Sequence, residues 1–291
     1  MNNEITTRRR FLAASAAGCF LGASIPSLSR GADADGNHVI RLPIRRQTRQ
    51  RDSDRFDEKT AVRELAPRET AILICDMWNK HWCASATRRC DALARKMAPL
   101  IGEARAAGVH IVHSPSDTLD SYKDHPACKR ALAVATVTPP SPIRSWCSLE
   151  EAREGKLPID DSDGGCDCQP QCKQASPWTS QHPAIHIADG DFISDDGRQV
   201  YSYFVEQGIK HVIYVGVHTN MCVLGRSFGI RQMTKLGLDA ILVRDLTDTM
   251  YNPRRAPFVP HEKGTELVIQ HVERHWCPTT ASEALALGLR Q

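Results

Sequence analysis

The chain has 291 residues, of which 41% are hydrophobic and 24% charged, with a formal net charge of +3. That is enough for one large α/β domain or two small ones with a real core. Arg8, Arg9, Arg10 and Arg30 stand against only Glu4 and Asp33 in the first 34 residues, which leaves the body nearly neutral. It lacks the concentrated basic face that nucleic acid would need as a partner.

In chain order, residues 1–34 read as a targeting segment. Thr7-Arg8-Arg9-Arg10-Phe11-Leu12 precedes a small, apolar run and then Ala32-Asp33-Ala34, the pattern of a cleaved secretory signal. The arginine pair before Phe-Leu resembles a twin-arginine signal, so a periplasmic or otherwise exported protein is expected. Ala16-Ala17-Gly18-Cys19 is a weak lipobox, which makes lipid anchoring at Cys19 a minor alternative. No later segment is long and apolar enough to cross a bilayer.

Residues 35–66 form a polar extension whose short apolar stretches, Val39–Leu42 and Ala61–Leu65, suit either an edge hairpin or an extended lead-in. A domain over 67–285 follows. Ala71-Ile72-Leu73-Ile74-Cys75 is a continuous apolar run ending in Asp76, as expected of a parallel strand covered on both faces. A helix over Ala86–Ala107, closed by Gly108, leads to a strand at Val109–His113. The pattern returns with a helix at Val200–Glu206, a strand at His211–Val215, a helix at Met221–Leu236, a strand at Asp239–Val243 and a helix at Gly264–His275. This alternation predicts an α/β fold with a mostly parallel sheet. Between the two halves, about 114–183, lies a Cys-rich insertion. Connections of that length in a compact domain are usually functional or tied down.

The chemistry-bearing motif is Val215-Gly216-Val217-His218-Thr219-Asn220-Met221-Cys222-Val223, which joins a strand to a helix. A thiol in the first helical turn meets unpaired N–H groups and the positive end of the dipole, both of which favour thiolate. The competing reading is a small apolar residue packing the helix start. Asp76, at the end of another strand, opens on the same crevice and suits a base for Cys222; a helix cap is its alternative reading.

Ala71–Asp76 and Gly216–Val223 together resemble the two signature motifs of the isochorismatase-like cysteine hydrolases, relatives of nicotinamidases and N-carbamoylsarcosine amidohydrolases. The resemblance runs from about residue 69 to 250. It implies a three-layer α/β/α sandwich and an Asp–Lys–Cys triad that hydrolyses C–N bonds through a thioester. Asp76 would be the general base and Cys222 the nucleophile. A cis peptide would join Val217 and His218, and the N–H groups of His218 and Cys222 would form the oxyanion hole. The family lysine has no counterpart in 184–192, where Asp189 falls nearest its position. Lys80 or Lys173 could supply a substitute cation, with His186 another candidate, although each reads more simply as a solvated surface group. Arg226, one turn past Cys222, could face the pocket but reads more simply as an exposed helical arginine. Arg244–Tyr251 reads as crevice wall.

No catalytic metal is expected, because His113, Asp117, Asp120 and His125 do not have the spacing of the nicotinamidase metal motif. Zinc is possible at Cys166-x-Cys168-x₃-Cys172 with one more ligand. Disulfides among Cys83, Cys90, Cys128, Cys147, Cys166, Cys168, Cys172 and Cys277 are the first expectation in an exported chain, with Cys75 left as a buried free thiol. The acidic run Asp160–Asp163 reads as a solvated turn. The leading functional reading is a cysteine hydrolase acting on a small amide or carbamoyl substrate, with a homo-oligomer possible by analogy. The missing lysine motivates a second reading, a binding or structural protein with impaired catalysis. A third is a redox protein using the Cys cluster.

Overall fold

The computed structural model describes residues 38–291. The expected signal segment, 1–34, and Cys19 lie outside the described residues. The elements run β1 (Ile40–Arg49), β2 (Phe56–Leu65), β3 (Thr70–Cys75), α1 (Ala84–Ala106), β4 (His110–Ser114), α2 (Pro126–Ala133), α3 (Glu151–Glu154), β5 (Phe192–Ile193), α4 (Gly197–Glu206), β6 (His211–Val217), α5 (Ile230–Lys235), β7 (Asp239–Asp248), α6 (His261–His275), β8 (Thr279–Thr280) and α7 (Ser282–Leu289).

One mixed sheet, ordered β2-β1-β8-β7-β6-β3-β4-β5, carries the fold. Strands β3 to β8 are parallel to their neighbours within that set, and β1 runs antiparallel to β8 and β2. The alternation of side chains along each strand feeds two cores. Ala71, Leu73 and Cys75 of β3 pack with Val212 and Tyr214 of β6 against α4, α5 and α6. Ile72, Ile74, Ile213, Val215 and Val217 face α1 and α7 on the other side. The result is a three-layer α/β/α sandwich. The polar extension is the hairpin alternative: Ile40 pairs with Leu65, and the buried Ile40, Leu42 and Ile44 alternate with outward residues.

Several elements differ from the sequence reading. The helix expected over Met221–Leu236 is interrupted: a short π-helix spans Thr219–Val223, and regular helix resumes only at Ile230. The cause is the insertion. Trp146 forms a β-bridge with Arg226, and the Cys147 N–H donates to the Gly225 carbonyl at 2.6 Å, drawing the backbone out of its helical path. Strand β8 and helix α7, absent from the sequence reading, extend the sheet and cover one face.

The expected disulfides are also corrected. All ten cysteines of the described residues are free thiols. Cys90, Cys128 and Cys277 lie in three different apolar clusters, and Cys147 donates to the Gln232 side chain at 3.2 Å. Sulfurs held in separate clusters cannot reach bonding geometry without backbone movement.

Candidate active site

Strands β3 and β6 are adjacent and parallel, with Cys75 opposite Gly216, so their carboxyl ends open together. Asp76 leaves β3 in the left-handed region, φ 45°, which turns its side chain out of the strand line. Gly216, at φ 107°, lies so close to β3 that a Cβ there would stand 2.1 Å from the Cys75 carbonyl oxygen. Only glycine lets the two strands approach this closely.

Beyond Gly216 the Val217–His218 peptide is cis, and the π-helix that holds Cys222 follows. The turn is fixed by its own polar residues. Thr219 donates to the Asp248 carbonyl at 2.9 Å, while the Asn220 side chain exchanges two hydrogen bonds with the Met250 backbone, at 3.0 and 3.1 Å. These bonds hold the Cys222 turn against the end of β7.

Asp76 is fully buried. Its Oδ1 accepts the Ser116 N–H at 2.8 Å, its Oδ2 accepts Arg226 Nε at 3.1 Å, and the Cys222 thiol lies within hydrogen-bonding reach. Burial raises the Asp76 carboxyl above its usual range, although Arg226, Cys222 and Ser116 all pull it down. Burial also pushes the Cys222 thiol well above its ordinary value; the Asp76 carboxylate adds to this and Arg226 opposes it. Cys222 is only 9% exposed. The helix-start argument for a resting thiolate is therefore corrected. Burial and the neighbouring Asp76 carboxylate both favour the neutral thiol.

Arg226 is the cation at this carboxylate, which corrects its reading as an exposed helical residue. Lys80, Lys173 and His186 are exposed and make no ion pair with Asp76; Asp189 is exposed as well. The spacing of four residues after Cys222 was the available signal, since such pairs share a helix face. The broken helix then turns the guanidinium inward. Its outer side reaches Asp117 at 3.6 Å and a half-open cleft of about 390 Å³. Ser116, Arg144, Asp195, Arg198 and Ser227 line the cleft with it.

The insertion roofs the site. Trp178 stacks on Trp78 with ring centroids 4.1 Å apart, and His81 meets His218 edge-on at 4.8 Å. Burial, aided by His81, lowers His218 to about 3; burial and Arg89 lower His81 to about 4. Both rings are neutral near pH 7. Asp248 is held at about 2: burial opposes this, but His261, at 2.9 Å, and Arg89 outweigh it. Asp248 anchors this wall.

The residues considered for a nicotinamidase-type metal do not converge. His113 is buried between Gln181, at 3.0 Å, and Asp191, at 2.9 Å, while His125 caps α2. A different set converges elsewhere: the sulfurs of Cys83, Cys166 and Cys168 lie within 4.8 Å of one another and are able to hold a metal ion.

A thiol and a carboxylate meeting at the carboxyl ends of adjacent parallel strands mark an enzyme of the cysteine-hydrolase kind. Residues 70–256 match the isochorismatase domain, and the chain belongs to that family of hydrolases. Solved structures with a similar fold include a cysteine hydrolase from Pseudomonas syringae pv. phaseolicola, 15% identical, with a TM-score of 0.47 over 78% of this chain and 94% of that one. An isochorismatase family protein from Burkholderia thailandensis is 14% identical, with a TM-score of 0.45 over 77% and 97%. A nicotinamidase from Staphylococcus aureus is 14% identical, with a TM-score of 0.35 over 71% and 94%. No curated protein matches the chain in sequence.

Proposed function

We propose that this protein is an exported amidohydrolase that cleaves the C–N bond of a small amide or carbamoyl compound through a thioester on Cys222. The observation that supports this best is the buried Asp76 carboxylate set between the Cys222 thiol and the Arg226 guanidinium. Asp76 takes the thiol proton as sulfur attacks the carbonyl carbon. The N–H groups of His218 and Cys222 hold the developing oxyanion. When the C–N bond breaks, Asp76 returns the proton to the leaving nitrogen. Asp76 then deprotonates a water that attacks the thioester, and the thiol re-forms with that proton. Arg226 takes the role that the family assigns to lysine: it keeps the base oriented and partly ionised within an apolar setting. The case for impaired catalysis rested on a missing cation, and Arg226 supplies one.

The test is hydrolysis of a panel of small primary amides and carbamoyl compounds, read as ammonia release, with intact-mass detection of acylated protein. Cys222→Ser should lose both turnover and adduct; unchanged hydrolysis in that variant would overturn the mechanism. Export is tested by fractionation: Arg8→Lys with Arg9→Lys should hold the chain in the cytoplasm, and undiminished export would refute the twin-arginine route.

A further inference from the structure

We propose that Cys83, Cys166, Cys168 and Cys172 form a tetrahedral zinc site that fastens the insertion to the start of α1. The sulfurs of Cys83 and Cys168 are 3.8 Å apart. Zinc–thiolate bonds of about 2.3 Å place the corners of a tetrahedron about 3.8 Å apart, which matches. A disulfide would need sulfurs at about 2.05 Å. Cys166 lies in the same set of three sulfurs; Cys172 is outside that set but packs against the same cluster, from which it would complete the tetrahedron.

The surroundings suit metal-bound thiolates. The Ser85 N–H donates to the Cys168 sulfur at 3.4 Å, and the Ser85 hydroxyl lies 3.1 Å from it. Donors of this kind orient ligating groups from outside a metal centre. One cation lies at the cluster's rim: Arg254 donates to the Cys168 carbonyl at 3.1 Å. Four protein ligands leave no open position, which marks a structural site. The cluster is separate from Cys222, and the proposal does not depend on the hydrolase mechanism.

The full-length protein, purified under reducing conditions with zinc in the growth medium, should carry about one zinc per chain by elemental analysis. Cobalt substitution should give thiolate-to-metal charge-transfer bands with the intense visible bands of a tetrahedral centre. Cys166→Ser and Cys168→Ser should lose the metal, while Cys222→Ala and Cys128→Ser keep it. Should the cluster variants fail to fold, mercurial titration of the wild-type chain gives the same answer, since zinc should leave as these four thiols react. Three results would overturn the proposal: substoichiometric zinc in the wild type, retention of zinc by Cys166→Ser, or a disulfide among the four cysteines in non-reduced peptide maps.

Discussion

Asp76 and Glu154 are both buried carboxylates facing an arginine, yet they titrate in opposite directions. Glu154, in the insertion, takes a bidentate pair of bonds from Arg231 at 2.8 and 2.9 Å, one from His271 at 2.8 Å and one from Trp276 at 2.7 Å. Burial works against its charge, but these donors outweigh burial and hold it at about 2. Asp76 has one backbone N–H, one guanidinium nitrogen and a thiol, and burial wins. Full satisfaction makes a carboxylate a fixture. Partial satisfaction leaves it able to accept a proton, which a general base requires.

Three predictions press on this contrast. Asp76→Asn should lower turnover by about 10²–10⁴-fold, the usual range for a lost general base. Its denaturation midpoint should fall less than that of Glu154→Gln, because burial disfavours the Asp76 charge and Arg226 keeps Asp117 within reach; an equal loss of stability would make Asp76 another structural carboxylate. Glu154→Gln should cost about 3–5 kcal/mol in urea unfolding, because it leaves Arg231 buried without its partner. The pH dependence gives its signature. With a folded pKa of about 2, Glu154 stabilises the wild type fully above the ordinary glutamate range, and that contribution is lost as pH falls toward 2. The variant should lack this acid loss, and an identical acid profile would remove Glu154 from the account. Arg226→Gln should give the smallest change in stability but a clear kinetic one. Without the cation the Asp76 pKa rises further, so the acid limb of kcat/KM should move to higher pH. A limb that stays in place would mean that Arg226 does not tune the base.

The strands and the two chemical residues were legible because local pattern carries them. An apolar run ending in Asp76 and a glycine-bearing turn before Cys222 are visible without a fold. Arg226 was misread because the break in its helix is made by Trp146, far away in sequence. The thiol's resting state was misread because desolvation depends on what covers the site. Cys83 was not grouped with Cys166 and Cys168 because only the topology brings α1 to the insertion. Strand β8, at Thr279–Thr280, is too short to leave a pattern of its own.

The bridge between Trp146 and Arg226 has a consequence for the order of assembly. Cys222 and Asp76, the proposed nucleophile and base, follow neighbouring strands of the central sheet, whereas Arg226 is bridged to Trp146 of the insertion. A chain with a formed sheet and an undocked loop would be folded yet unready, its carboxylate lacking the partner that keeps it charged. On the proposed mechanism, competence for catalysis should therefore depend on the insertion being docked as well as on the sheet being formed.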